Sequence, residues 1–358
     1  MDKITRLIKF IGDINFSDIH IRENENIYIR ENGFIEESDE FVDKVEIEKF
    51  LNCIGKKELF KRVYSDKEID FSFEQEERRF RGNIFLQNGK IGMVFRNIKS
   101  EILNLKSLGI PKVVERFTEL NSGIIIITGP TGSGKTTTLA ALVEHINMNH
   151  KKHIITIEDP IEYIYSNKLS IITQREIDRD SKNFNDALKF SLRQDPDVLV
   201  IGELRDEESV KIAMRAAETG HLCFCTLHTL GASNAIERII DMFDSSESCK
   251  VRIQLSYVLK GVLSQQLIHT NKEVFVVVDI LNVDKSVSNM IREGKCNQID
   301  NYVLTNKSKG MVSMDEQIIS LFKSKKIDIN TLQGSCIDKE SVMRKVGIRK
   351  DVSKVWEV

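Results

Sequence analysis

The residues from Gly129 to Thr136 read G-x-x-x-x-G-K-T. Glycines at this spacing let the backbone curl so that successive N–H groups point inward at phosphate oxygens. The expected phosphate-binding stretch is Gly129, Pro130, Thr131, Gly132, Ser133, Gly134, Lys135, Thr136 and Thr137. Lys135 has the reach for the β- and γ-phosphates, and the Thr136 hydroxyl can ligate Mg²⁺. The chemistry to expect is therefore binding of a nucleoside triphosphate such as ATP, with Mg²⁺.

Three further patches carry groups that can act on a bound phosphate. Ile155–Tyr163 ends an apolar run in Glu158 and Asp159. A carboxylate there can orient or deprotonate the water that attacks a γ-phosphate. The plain alternative is a solvated strand end, with Asp159-Pro160 making a turn. In Asp197–Asp206, four apolar residues lead through Gly202 to Glu203, the pattern that supplies a Mg²⁺ partner beside a phosphate loop. Thr219–Thr229 is an apolar run bracketed by His221 and His228. Either imidazole can sense or donate to a γ-phosphate, and for His221 a structural role is equally open. Two histidines without a third ligand make a poor metal site. Charge building on a transferred phosphoryl group also needs a cation. Arg81, Arg96, Arg193, Arg205, Arg215 and Arg238 are available, and spacing does not select among them.

These groups need a scaffold that brings strand ends together. The four isoleucines Ile124–Ile127 suit a strand buried on both faces. Leu139, Leu142, Val143 and Ile146 then recur at the spacing of one helix face. From Pro111 onward strands and helices alternate, the pattern of a mostly parallel α/β sheet with helices on both sides. Expected strands are His153–Ile157, Val198–Ile201, Leu222–Thr226 and Glu273–Leu281, and expected helices are Phe184–Arg193, Glu207–Glu218, Ala232–Phe243 and a longer Cys249–Leu267. Short helices, such as Val287–Glu293 and Met314–Phe322, close the chain. Residues 1–97 read as a small α+β domain. Its expected helices are Lys3–Ile11, Val45–Ile54 and Lys57–Val63, and its strands Asp18–Arg22, Asn26–Arg30, Arg79–Gln87 and Lys90–Asn97. Glu31-Asn32-Gly33 is an expected turn, Asn88-Gly89 a hairpin signal, and the charge run Glu74–Arg79 a solvated edge. Residues 98–110 have the composition of a linker, leaving 111–358 as the second domain.

Composition excludes several function classes. With 41% hydrophobic and 30% charged residues in 358, the chain is ordinary globular material for roughly two domains of ~150 residues. A net charge of −2 gives no electrostatic reason to expect nucleic acid as a partner. No apolar run approaches the ~20 residues of a membrane span, and the first residues lack a secretory signal's pattern. The six cysteines form no C-x-x-C pair, and Cys223 and Cys225 read as small buried hydrophobes. The expected setting is the cytosol, with reduced thiols and no structural zinc.

Taken together, GPTGSGKTTT, ITIEDPIEY, IGELRD and TGHLCFCTLHT resemble the four boxes of the secretion ATPase superfamily that drives type II secretion and type IV pili. SDIHIR, RFRGNIFLQNGKIGMVFRNI, VSNMIREGKCNQIDN and GMVSMDEQ extend the likeness over nearly the whole chain, nearest to the pilus retraction ATPases. The resemblance implies a PAS-like first domain, a RecA-like P-loop motor domain with a C-terminal helical subdomain, and a homohexamer. It implies a cytoplasmic ATPase at the inner face of the membrane, docked on a pilus platform protein. By match, Glu158 activates water, Glu203 is the Walker B acid and Mg²⁺ partner, and His221 and His228 form the histidine pair. Arg81 and Arg96 match positions presented across the subunit boundary. Cys225 departs from the family, which more often has Gly there. Extension ATPases of the superfamily usually carry a longer amino-terminal region and a four-cysteine metal site, so retraction is the expected direction. A pilus-extension or type II secretion ATPase is the alternative, and a DNA translocase a further one.

Overall fold

The fold follows from two hydrophobic patterns, one alternating and one nearly continuous. They appear in a computed structural model that describes residues 18–31, 34–75, 78–98, 102–270 and 273–347. The expected helix Lys3–Ile11 and most of the turn Glu31–Gly33 lie outside these residues. The chain divides into two compact units with the boundary between Glu101 and Ile102.

In the first unit β1 (Asp18–Arg22), β2 (Glu25–Glu31) and β3 (Phe34–Val42) precede helices α1 (Lys44–Cys53) and α2 (Leu59–Asp66). Strands β4 (Glu68–Gln75), β5 (Arg78–Gln87) and β6 (Lys90–Ile98) complete an antiparallel sheet of order β3-β2-β1-β6-β5-β4. Asp43 starts α1 by accepting from the Glu46 amide, while the Glu46 carboxylate accepts from that of Asp43. Asn88 and Gly89 both take positive φ, the backbone that a two-residue hairpin demands. One apolar face packs Phe50 with Phe73 and Phe95 at ring separations of 5.9 and 5.3 Å. Strand β3 escapes the sequence pattern because acidic residues interrupt its alternation, whereas β4 alternates strictly through Ile69, Phe71 and Phe73 and is legible by the same rule as its neighbours. The Glu74–Arg79 run is also not uniformly solvated. Arg79 is buried, its Nη1 3.6 Å from the exposed Glu74 carboxylate.

The second unit is built on β7 (Gly123–Thr128), α3 (Lys135–Asn149), β8 (His153–Glu158) and β9 (Ile171–Glu176). Next come α4 (Phe184–Ser191), β10 (Val198–Ile201), α5 (Glu207–Glu218), β11 (Leu222–Leu227), α6 (Ala232–Ile240) and α7 (Ser245–Val258). Strands β12 (Leu259–His269) and β13 (Val274–Asn282) close the seven-stranded sheet, of order β13-β12-β7-β11-β10-β8-β9. Every pairing in it is parallel except β12 with β13. Alternate residues feed two cores. Ile124 and Ile126 join Leu199, Cys223 and Cys225 under the α5–α7 side. Ile125 and Ile127 join Val200, Phe224 and the α3 residues Leu142 and Val143 on the other. Leu105 and Ile110, inside the stretch expected to be linker, are buried in this second core with Val114 and Phe117. Their apolar side chains outweigh the Ser, Asn and Gly around them.

One expectation fails outright. Leu255, Val258, Leu259, Val262 and Leu263 have helical spacing, yet the helix ends at Val258 and β12 begins at once. A strand wins because the sheet has room for it: β12 fills the position between β7 and β13 and is buried along most of its length. A short apolar run cannot by itself distinguish the two states. Strand β12 also needs Gly261, where a Cβ would lie 2.4 Å from the Phe117 ring. Gly261→Val is expected to cost about 1–3 kcal/mol through overpacking. Its thermal unfolding midpoint should fall by about 2–4 °C per kcal/mol, while a control Gly55→Ala, with nothing within 4 Å, perturbs only its own positive-φ turn.

Candidate phosphate-binding and catalytic site

Parallel pairing aligns the carboxyl ends of four strands. Thr128 of β7 pairs with Leu227 of β11, Cys225 with Ile201 of β10, and Ile201 with Ile157 of β8. The residues that follow these ends are Gly129, His228, Gly202-Glu203 and Glu158-Asp159. Open α/β sheets place ligands at this edge.

The loop after β7 has the shape of an anion cradle. At Gly129, φ is 149° and a Cβ would meet the Gln265 carbonyl oxygen at 2.1 Å and Ser133 Oγ at 2.7 Å. Only glycine fits. Gly134, at φ 82°, turns the chain into α3. Ser133 Oγ is buried without a hydrogen-bond partner in the structure. Lys135 is buried, its Nζ donating to the Gly129 and Pro130 carbonyls at 2.7 and 3.0 Å. A glycine cradle, an orphaned hydroxyl and a cation at a helix N-terminus fit a phosphate group. Thr136 lies in the first turn of α3, and Glu203 follows the end of β10.

The cradle is braced from β12. Gln265, 2% exposed, donates from Nε2 to the Ser133 carbonyl at 2.7 Å and accepts from Thr138 Oγ1 at 2.7 Å. One side chain thus fixes both the loop and the helix it enters. A helix assigned to this segment hid Gln265, although a glutamine pair inside an apolar run is a signal of its own.

Charged groups at this edge form a chain. His228 Nδ1 lies 3.5 Å from Lys135 Nζ, and His228 Nε2 lies 3.2 Å from Glu203 Oε1. An ammonium only donates, so Nδ1 can accept from Lys135 while Nε2 faces the Glu203 carboxylate. Glu203 Oε2 accepts from Arg205 Nε at 2.9 Å, and Arg205 Nη1 donates to Asp159 Oδ2 at 2.9 Å. Glu203 foremost, then Asp159, hold the Arg205 guanidinium more firmly protonated than usual. Glu158 Oε1 accepts from Thr156 Oγ1 at 2.6 Å and from Gln174 Nε2 at 3.3 Å.

The other expected residues lie elsewhere. His221 precedes β11, at the amino edge of the sheet, where its backbone carbonyl accepts from the Gly123 amide. Six strand residues at about 3.3 Å each put it roughly 20 Å from His228. Its Nδ1 lies 2.9 Å from the Ala216 carbonyl, closing the end of α5. Within one chain, then, His221 does not join the cluster. Arg81 and Arg96 face each other on β5 and β6 of the first unit. Arg96 Nε lies 2.9 Å from Asp18 Oδ1, and Arg81 Nη2 3.9 Å from Asp70 Oδ2. Arg193, Arg215 and Arg238 are exposed. Cys223 and Cys225 are fully buried, and burial pushes the Cys223 thiol up to about 12 and that of Cys225 well above its ordinary range.

Replacing Gln265 by Leu strands the Ser133 carbonyl and the Thr138 hydroxyl at a cost of about 1–3 kcal/mol. Nucleotide affinity, titrated with a fluorescent ATP analogue, is expected to fall about tenfold, with the circular dichroism of the folded protein retained.

Comparison with known proteins agrees with this geometry. Residues 3–352 match the family described as type II/IV secretion system protein. A twitching motility protein of Neisseria gonorrhoeae is 43% identical over 267 residues, 74% of this chain and 71% of that one. The type IV pilus retraction ATPase PilT of Pseudomonas aeruginosa is 38% identical over 315 residues, 87% of this chain and 92% of that one. A crystal structure of the pilus retraction motor PilT with bound ADP superposes with a TM-score of 0.88 at 36% identity, covering 96% of this chain and all of that one. With a family model matched over nearly its whole length and relatives at 38% and 43% identity, the chain belongs to the type II/IV secretion system protein family, and within it to the PilT group.

Proposed function

We propose that this protein is the ATPase motor of type IV pilus retraction. It works as a homohexamer at the inner face of the membrane, docked on a platform protein of the pilus base. The observation that carries the reading is the convergence of Lys135, Glu158, Glu203 and His228 on one edge of a parallel sheet, in a chain alike over nearly its whole length to retraction motors. The loop amides and Lys135 bind the phosphates of ATP. Thr136 and Glu203 would hold a Mg²⁺, which would supply neutralisation of phosphate charge. Glu158, held by Thr156 and Gln174, orients and deprotonates the water that attacks the γ-phosphate, giving ADP and phosphate. His228, between Lys135 and Glu203, reports the state of that pair. Arg81 and Arg96 serve the site of a neighbouring subunit, and His221 contributes from its own edge in the assembled ring. The first domain moves relative to the motor domain, which starts at Ile102, as nucleotide is bound and hydrolysed.

Lys135→Ala is expected to lose nucleotide binding. Glu158→Gln and Glu203→Gln should keep it and lose about 10²–10⁴-fold in turnover, measured as steady-state phosphate release. Unchanged hydrolysis in these variants overturns the site assignment. Cells lacking the gene are expected to show more or longer surface pili by electron microscopy and to lose surface motility. Bald cells would instead make the protein an extension motor.

A further inference from the structure

Strand β3 lies at the end of the first sheet, and among the described residues it pairs only with β2. Edge strands usually protect their unpaired backbone with short length, charged side chains, bulges or a cover. This one is nine residues long and carries large apolar side chains in the open: Phe34 is 75% exposed, Ile35 50% and Phe41 48%. Val45, just past the end of the strand in α1, is 57% exposed. The same stretch is strongly acidic, with ten Asp or Glu in residues 23–48 against Arg30 and Lys44. Lys44 Nζ sits over the Tyr64 ring at 5.1 Å. Glu36, Asp39 and Glu40 make no ion pair among the described residues.

The strand has two parts. Phe34–Glu37 runs in regular register with β2, from Glu31↔Phe34 to Tyr28↔Glu37. Ser38, Asp39 and Glu40 then bulge out, between Tyr28↔Glu37 and Asn26↔Phe41. A regular edge offers main-chain partners to an added strand, and a bulge beside it re-aims its side chains. Exposed apolar side chains among mainly acidic neighbours suit an interface, and the prevailing sign names the partner's. Negative charge excludes nucleic acid and the anionic face of a bilayer. Proteins embedded in the membrane, however, concentrate Lys and Arg in their cytoplasmic loops.

We propose that β3, from Phe34 to Phe41, with Val45 beside it, is a docking surface for a Lys/Arg-rich cytoplasmic loop of a membrane-embedded protein. The loop lies in extended form along Phe34–Glu37 and sets its basic side chains against Glu36, Asp39 and Glu40. This rests on the reading that the chain works as a motor at a membrane assembly.

The test replaces Phe34 with a photoreactive phenylalanine analogue in the full-length protein in living cells, and identifies the cross-linked peptide by mass spectrometry. The expected adduct is a basic cytoplasmic loop of an inner-membrane protein. Its yield should fall about tenfold or more in a Glu36→Lys/Asp39→Lys/Glu40→Lys background, whose purified ATPase rate matches the parent's. An adduct with another copy of this chain overturns the proposal, as do absence of an adduct and a yield indifferent to charge reversal. Failure of the motor reading shows separately, as absent hydrolysis by the purified parent protein.

Discussion

Parallel pairing of strands buried on both faces is the constraint on which this protein depends. Strands β8, β10, β11 and β7 lie side by side with their carboxyl ends in line, and the chain turns polar at or just past each end. The phosphate loop, both acidic boxes and His228 therefore meet without any long-range design of loops. The apolar runs that specify the strands also set the reach between catalytic groups, since one residue of register slip would move a side chain by about 3.3 Å and to the other face. Stability and function share the same four segments.

On that edge, neutralisation is arranged in series. Lys135 leans on two loop carbonyls and on His228, His228 on Glu203, Glu203 on Arg205, and Arg205 on Asp159. Each anion has a cation or a donor beside it, so two carboxylates tolerate closeness at a site that must also receive a polyanion. Gln265 adds the neutral part of the same order, because it fixes the loop with dipoles rather than charge. Such contacts survive changes of ionic strength that weaken the half-exposed ion pairs around them.

Much of this was legible in the sequence where two signals agreed. The phosphate loop followed a four-isoleucine strand and opened an amphipathic helix, and the structure has that order. Glu203 followed four apolar residues, and Asn88-Gly89 joined two strands. Legibility failed where one pattern served two states. Leu255 to Leu263 matched a helix face, but the second half belongs to β12, and with it went Gln265. Strands β3 and β9 carry too many polar residues to show alternation, being at sheet edges where pairing rather than burial holds them. The two histidines of one box looked like a pair by sequence distance. Six extended residues place them at opposite edges of the sheet, a separation that only the strand state of Leu222–Leu227 reveals.

The distribution of thiols bears on how movement of this protein is to be watched. Cys223, Cys225, Cys296 and Cys336 are buried, with thiols that burial holds above their ordinary range, so they offer little thiolate to an electrophile. Cys53 and Cys249 are exposed, one on α1 of the first unit and the other on α7 of the second. Nature has thus left one accessible attachment point on each half. A donor and an acceptor dye on the unaltered chain suffice to follow the spacing of the two units by energy transfer through a hydrolysis cycle.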